Sequence, residues 1–333
     1  MSDRSVLSKL RGKLIVGVCI GALVYLVLVV LSGWDEIKTS MSAFPWIWFP
    51  VLLALAFSNY LFRFLKWDYY LRRLDIDLPK KDSLIVFLSG LIMTISPGKI
   101  GELLKALFLK QLKGTPISKS APIVVAERLT DFVALAIISV AGLTVFTLGN
   151  YVVVMEIVVA ILVGFVCVVS HRGLSLWLIR LFEKLPVVGR FAEKLHVAYE
   201  SINALVKPVP LSIATFWSLL AWMCECLGLW IVLYTMQARV PVLTASFIYA
   251  LGTIVGAVSP GGLGVTEGSI VGLLQTETVM GAAKMGMAHA SAATMIIRIA
   301  TLWFAVFVGA VVLLFFQKRF AGVSEMIDEQ PED

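Results

Sequence analysis

Apolar stretches about as long as a bilayer crossing recur along the chain, and polar residues gather at the joints between them. A helix needs about 20 mainly apolar residues to cross the hydrocarbon core. Six runs meet that need: Lys13 to Leu31, Phe44 to Leu65, Pro122 to Leu148, Tyr151 to Ser170, Leu211 to Met236 and Ala288 to Phe316. Two other runs, Ser83 to Pro97 and Ala245 to Pro260, are short and stop at Pro-Gly; second short pieces follow them, Gly101 to Leu109 and Gly264 to Leu274. The expected fold class is all-α, a polytopic helical membrane protein with about six full spans plus two re-entrant helical hairpins.

Loop charges orient the spans, because cytoplasmic loops carry the excess of Lys and Arg. Arg4, Lys9, Arg11 and Lys13 place the N-terminus inside, and Gly33 to Ala43, with two acids and one Lys, lies outside. The run after Lys13 is long for a signal sequence and no small-x-small cleavage site follows it, so it reads as a retained helix. Arg63, Lys66, Arg72, Arg73, Lys80 and Lys81 put the end of the second helix inside, as Lys110, Lys113 and Lys119 do for the first short pair. Arg172, Arg180, Lys184, Arg190, Lys194 and Lys207 mark a long inner loop, in which Leu174, Trp177, Leu178, Leu181 and Leu185 at helical spacing suggest a membrane-surface strap. The second short pair lacks basic flanks and enters from outside; Lys318 and Arg319 return the C-terminus to the cytoplasm.

Ser96-Pro97-Gly98-Lys99-Ile100-Gly101 and Ser259-Pro260-Gly261-Gly262-Leu263-Gly264 share the pattern S-P-G-x-x-G, 163 residues apart (260 − 97). An Arg follows in the next apolar helix of each half, Arg128 at 31 residues (128 − 97) and Arg298 at 38 (298 − 260), so the match is inexact and requires an insertion. With opposite orientations these are inverted-topology repeats, an arrangement characteristic of transporters. The expected organisation is one transmembrane domain over 1–333, starting with a first helix at 13–31 and repeat 1 at 44–148, which holds a re-entrant hairpin at 83–110. A connecting helix at 151–170, a cytoplasmic amphipathic loop at 172–208, repeat 2 at 209–316 with a re-entrant hairpin at 245–275, and a cytoplasmic tail at 317–333 complete it.

At each Pro-Gly turn, proline ends one helix, glycine permits left-handed backbone, and the next helix begins with free N–H groups and a positive dipole end, a geometry suited to a phosphate or carboxylate. Pro97, Gly98, Gly101, Pro260, Gly261, Gly262 and Gly264 are therefore candidates, with Lys99 for an anionic headgroup and Glu102 and Glu267 to orient it or carry protons. Charges inside membrane helices are normally paired, hydrated or functional. Glu127, Arg128 and Asp131 form a cluster that either neutralises itself or presents Arg128 to substrate. Arg298 and Glu225 each lack an opposite charge within a helical turn; they face substrate or pair with each other.

Composition agrees with a bilayer as solvent: 59% of the 333 residues are hydrophobic and 15% charged, with a mean hydropathy of +0.92. The net charge of +6 does not gather on a soluble face, so no nucleic-acid partner is expected. Cys19, Cys167, Cys224 and Cys226 lie in apolar runs, and His171, His196 and His289 have no metal-binding spacing, so no metal site is expected. Neither a nucleophile elbow nor a P-loop occurs; no cofactor, enzyme activity or ATP use is expected.

The segments PGKIGELLKALFLK, AERLTDFVAL and SPGGLGVTEG resemble the lysylphosphatidylglycerol synthase transmembrane region, the flippase-like domain also found in the multiple peptide resistance factor. The resemblance runs from about the second helix to the last. It implies translocation of a lipid or lipid-linked headgroup across the bacterial cytoplasmic (inner) membrane, and its motifs map onto Pro97, Gly98, Gly101, Glu102, Glu127, Arg128, Asp131, Pro260, Gly261, Gly262, Gly264 and Glu267. In larger relatives a soluble aminoacyl transferase domain follows; here 14 residues follow Arg319 (333 − 319), and a stand-alone member is expected. The expected partners are membrane lipids, such as phospholipid, glycolipid or polyprenyl-phosphate sugar. The alternative is a non-transporting subunit or regulator of a separate glycosyltransferase or lipid-modifying enzyme. Oligomeric state stays open, and coupling is open between the substrate gradient and protons carried by Glu102, Glu225 or Glu267.

Overall fold

The computed structural model describes residues 6–95, 103–144, 157, 160, 164, 192–257 and 259–320. The first Pro-Gly motif with Pro97, Gly98, Lys99, Gly101 and Glu102, nearly all of the 151–170 helix, residues 172–191 of the basic loop and the tail from 321 lie outside the described residues.

The chain is an all-α polytopic membrane protein. Helix α1 (Val6–Ser32) stops at Gly33, whose φ of 81° leaves the helical region, and the 33–43 connection then forms a short helix of its own, α2 (Trp34–Ser42). A 3-10 turn at Trp46–Trp48 leads into α3 (Phe49–Arg73), with Pro50 in its first turn, where a missing N–H costs no hydrogen bond. This helix runs past the expected end at Leu65, so Arg63 and Lys66 belong to its interior rather than to its cytoplasmic margin. Helix α4 (Lys80–Gly90) tightens into a 3-10 stretch (Leu91–Ile95); α5 (Leu104–Lys113) ends at the left-handed Gly114, and α6 (Ile117–Leu143) follows.

In the second half, α7 (Ala192–Val206) falls inside the stretch expected as a surface loop, yet it buries Tyr199, Leu205 and Val206 and packs along α6. Next come α8 (Pro208–Thr235), α9 (Val242–Gly256), a 3-10 turn at Pro260–Gly262 and α10 (Val265–Gln275), which packs back against α9. The connection after Gln275 holds a single helical turn, Glu277–Met280, and a 3-10 turn, Gly281–Ala283. Helix α11 (Met287–Arg298) continues through a π-helical turn (Ile299–Trp303) into α12 (Phe304–Phe316). Among the described residues four helices are long and apolar enough to cross a membrane: Leu14–Ser32, Trp46–Arg73, Pro208–Thr235 and Met287–Phe316. Helix α6 matches them in length but carries Glu127, Arg128 and Asp131. Leu23, Val30, Phe57, Phe216, Phe307 and Phe315 are exposed on the outer faces, as a hydrocarbon solvent allows.

Buried apolar side chains form two main clusters. One gathers α9, α10 and α11 against α6 and α8; the other gathers α4 and α5 against α3 and α12. Gly309 of α12 permits the second, because a Cβ there would lie 2.2 Å from the backbone nitrogen of Ile92. Between the two lies a small third cluster, Ile95, Leu263 and Leu302, where the tips of the broken helices meet.

Candidate functional site

Helix α6 carries its charged residues far from both ends. Glu127 is 10 residues from its start (127 − 117) and Asp131 is 12 from its end (143 − 131), roughly 15 Å either way at 1.5 Å per residue. Charges at such depth require partners. Asp131, 4% exposed, accepts from Lys66 at 2.7 Å and Ser218 at 3.0 Å on Oδ1, and from Arg63 at 3.1 Å and Arg128 at 3.5 Å on Oδ2. Lys66, 1% exposed, also donates to Ser218 Oγ at 2.8 Å, Thr130 Oγ1 at 3.3 Å and the Glu127 carbonyl at 3.4 Å. Its ammonium therefore has acceptors for all three protons. Glu127 binds Lys105 Nζ at 2.5 Å, and that ammonium lies 4.5 Å from the centre of the Trp67 ring. The guanidinium of Arg63 lies 4.7 Å from the ring centre of Trp222.

The second Pro-Gly turn is built on glycines whose conformations other residues rarely adopt: Gly261, Gly262 and Gly264 have φ of 61°, 75° and 81°. A Cβ on Gly261 would also lie 2.9 Å from Ile95 Cα, so this turn seats directly on the last described residues before the first motif. The helix that follows was expected to offer its N-terminal amides to a ligand. The Gly264 N–H donates to Glu267 Oε2 at 2.7 Å, so the protein's own carboxylate occupies the N-cap amide, the half of a capping box that a glycine allows. The other oxygen of Glu267 accepts from Arg298 Nε at 2.6 Å, and Arg298 Nη2 donates to the Gly261 carbonyl at 3.2 Å. Arg298 therefore clamps the turn, and the expected alternative pairing with Glu225 is not formed. Glu225 accepts from the Tyr249 hydroxyl at 2.6 Å.

Between these groups lies a cavity of about 160 Å³. Among the described residues its charged lining comprises four cations, Arg63, Lys105, Arg128 and Arg298, and three acids, Glu127, Asp131 and Glu225. Tyr60, Trp222, Tyr249, Thr301 and the glycines 256, 261 and 262 share the wall. The sequence pattern of the Lysylphosphatidylglycerol synthase TM region matches residues 14–309. The chain belongs to this family. Two UPF0104 membrane proteins of Methanothermobacter thermautotrophicus are similar: one is 25% identical over 332 residues, covering 92% of this chain and 93% of the relative, the other 24% identical over 285 residues, covering 77% and 79%.

In this member of the lysylphosphatidylglycerol synthase TM region family, the cavity brings together Glu127, Arg128, Asp131, Glu225, Gly261, Gly262 and Arg298 from the sequence-based candidates. Gly264 and Glu267 stand behind the wall and fix the turn, and Pro260 begins its 3-10 segment. Three participants escaped the sequence reading. Arg63 and Lys66 look like ordinary topology markers beside Arg72 and Arg73, and Lys105 resembles the neighbouring basic end of its short helix; only long-range pairing distinguishes them. Among the described residues no group of three or more His, Cys, Asp or Glu side chains is placed to hold a metal ion.

Proposed function

We propose that the protein translocates an anionic lipid headgroup across the bacterial cytoplasmic membrane, both termini facing the cytoplasm. The headgroup, of a phospholipid, glycolipid or polyprenyl-phosphate sugar, occupies the cavity while the acyl or prenyl tail remains in lipid. The two broken helix pairs act as re-entrant hairpins of inverted repeats, and one repeat rocks against the other to alternate access. The observation that carries this reading is a cavity at mid-helix depth bordered by four cations, Arg128 among them with 28% of its side chain exposed. Buried charge at such depth is costly unless it is paired or used. The family description, the transmembrane region of a lipid synthase, points to the same class of molecule.

Reconstitution into liposomes with fluorescent or isotopically labelled phospholipids, glycolipids and polyprenyl phosphates tests it. Wild-type protein accelerates transfer of at least one anionic lipid between leaflets, and Arg128→Gln slows that transfer about tenfold, the loss of one charge-assisted hydrogen bond. Full transfer by a folded Arg128→Gln variant would remove Arg128 from the site. A non-transporting subunit or regulator of a separate lipid-modifying enzyme or glycosyltransferase is the second reading. It is favoured by the one-to-one pairing of Lys105 with Glu127 and of Arg298 with Glu267. Under that reading no tested lipid changes leaflet.

A further inference from the structure

The five cations near the cavity are not equally engaged. Arg298 is held by Glu267 and the Gly261 carbonyl, with 8% of its side chain exposed. Lys105 is paired with Glu127 and lies against Trp67, with 7% exposed. Lys66 has four acceptors around three protons. That leaves Asp131 as one carboxylate facing three cations, Arg63, Lys66 and Arg128.

Of these three, Arg63 is placed to meet an anion in the cavity. Its ion pair is one contact, Nη1 to Asp131 Oδ2 at 3.1 Å, whereas a guanidinium has five N–H donors. Its side chain is 16% exposed and lines the cavity. The indole of Trp222 at 4.7 Å holds the guanidinium from one side. A planar fork fixed in this way matches the two oxygens of a phosphate ester, which a lysine in its place would meet only as a point charge.

We infer that Arg63, steadied by Trp222 and flanked by Arg128, is the anion subsite of the cavity and takes a phosphate-ester group. This rests on the lipid-translocation reading and places the anion at Arg63 rather than at the Pro-Gly turn at 260–264, where Glu267 occupies the Gly264 amide.

The test is equilibrium binding to the purified full chain in uncharged detergent. Dihexanoylphosphatidylglycerol is the probe, with dihexanoylglycerol and inorganic phosphate as comparisons. Wild-type protein binds the phosphate-bearing lipid and not the phosphate-free one. Arg63→Gln weakens that binding at least tenfold, while Arg63→Lys, which keeps the charge, weakens it less. Asp131 retains Lys66 and Arg128 in both variants, and Arg63→Lys carries the test if the glutamine variant does not fold. Inorganic phosphate that binds as tightly as the lipid, and is lost in the same variants, supports the subsite and identifies the free ion as its source. Wild-type affinity in folded Arg63 variants overturns the subsite while leaving translocation standing. Wild-type protein that binds neither phosphate probe overturns the subsite, and translocation is then judged by the liposome assay alone.

Discussion

Glu267 offers the sharpest test of how the second turn is held. It is fully buried and serves two donors with two oxygens, the Gly264 amide at 2.7 Å and Arg298 Nε at 2.6 Å. Glu267→Ala removes a helix cap worth about 1 kcal/mol and strands a buried guanidinium, which costs about 3–5 kcal/mol, for a total loss of about 4–6 kcal/mol. Glu267→Gln keeps one acceptor oxygen. It satisfies one donor while turning its NH₂ toward the other, and the loss falls to about 1.5–3 kcal/mol, the value of one hydrogen bond to a charged group. The double variant Glu267→Ala/Arg298→Ala carries no stranded charge, so a double-mutant cycle returns a coupling of about 2 kcal/mol or more. Unfolding by SDS in mixed micelles, followed by far-ultraviolet circular dichroism and tryptophan fluorescence, gives these values, together with that of the Arg298→Ala single variant that closes the cycle, on one scale. A Glu267→Ala protein within about 1 kcal/mol of wild type, with coupling below about 0.5 kcal/mol, would refute the clamp.

The same titration separates the members of the Asp131 cluster. Asp131→Ala leaves Lys66, at 1% exposure, beside Arg63 and Arg128 without their carboxylate, and should cost at least about 3–5 kcal/mol. Lys66→Met leaves Asp131 its two arginines and fills the space with apolar atoms, at a cost of about 1–3 kcal/mol; the reverse order would contradict the assignment of Asp131 as the shared centre. Gly261→Ala meets a left-handed φ of 61° and a backbone contact of 2.9 Å, and should cost more than about 2 kcal/mol. An unchanged melting temperature, measured by fluorescence-detected size exclusion, would mean that the turn does not seat on Ile95.

Hydropathy made the long helices legible because lipid contact needs little more than length and apolar character. Helices α1, α3, α8 and the α11–α12 span all lie where apolar runs predict them, and the break at Pro260 lies between two helices as its Pro-Gly predicts. Helix α7 was obscured because its buried Tyr199, Leu205 and Val206 are interspersed with charged and polar residues in a basic segment, and the partner that buries them, α6, precedes it in sequence. The site was half legible. Arg128, Asp131, Glu225 and Arg298 declare themselves as charges inside apolar helices, and the Arg128 to Asp131 pair is a local one, but further partners of Asp131 and those of Glu225 and Arg298 lie 24 to 87 residues away. The Arg298 to Glu225 alternative fails for a local reason: Glu267, placed by the cap of its own helix, reaches Arg298 with its free oxygen.

The ion pairs also constrain how the molecule can move. Arg298 joins α11 to the turn before α10, and Lys105 joins α5 to α6; opening either pair in the interior costs about 3–5 kcal/mol. In the proposed translocation cycle, a transition that returns to its starting state is cheaper when those pairs stay closed, so each short helix would travel with the long helix to which it is tied. The two large apolar clusters constrain movement as well, because one ties α9, α10 and α11 to α6 and α8 and the other ties α4 and α5 to α3 and α12, and the broken helices meet at the smaller cluster of Ile95, Leu263 and Leu302. The cavity borders this smaller cluster through Leu302, and Arg63 and Arg128 on α3 and α6 line it outside both closed pairs. An anion bound at the proposed Arg63 subsite would touch neither of the two pairs that hold the broken helices in place.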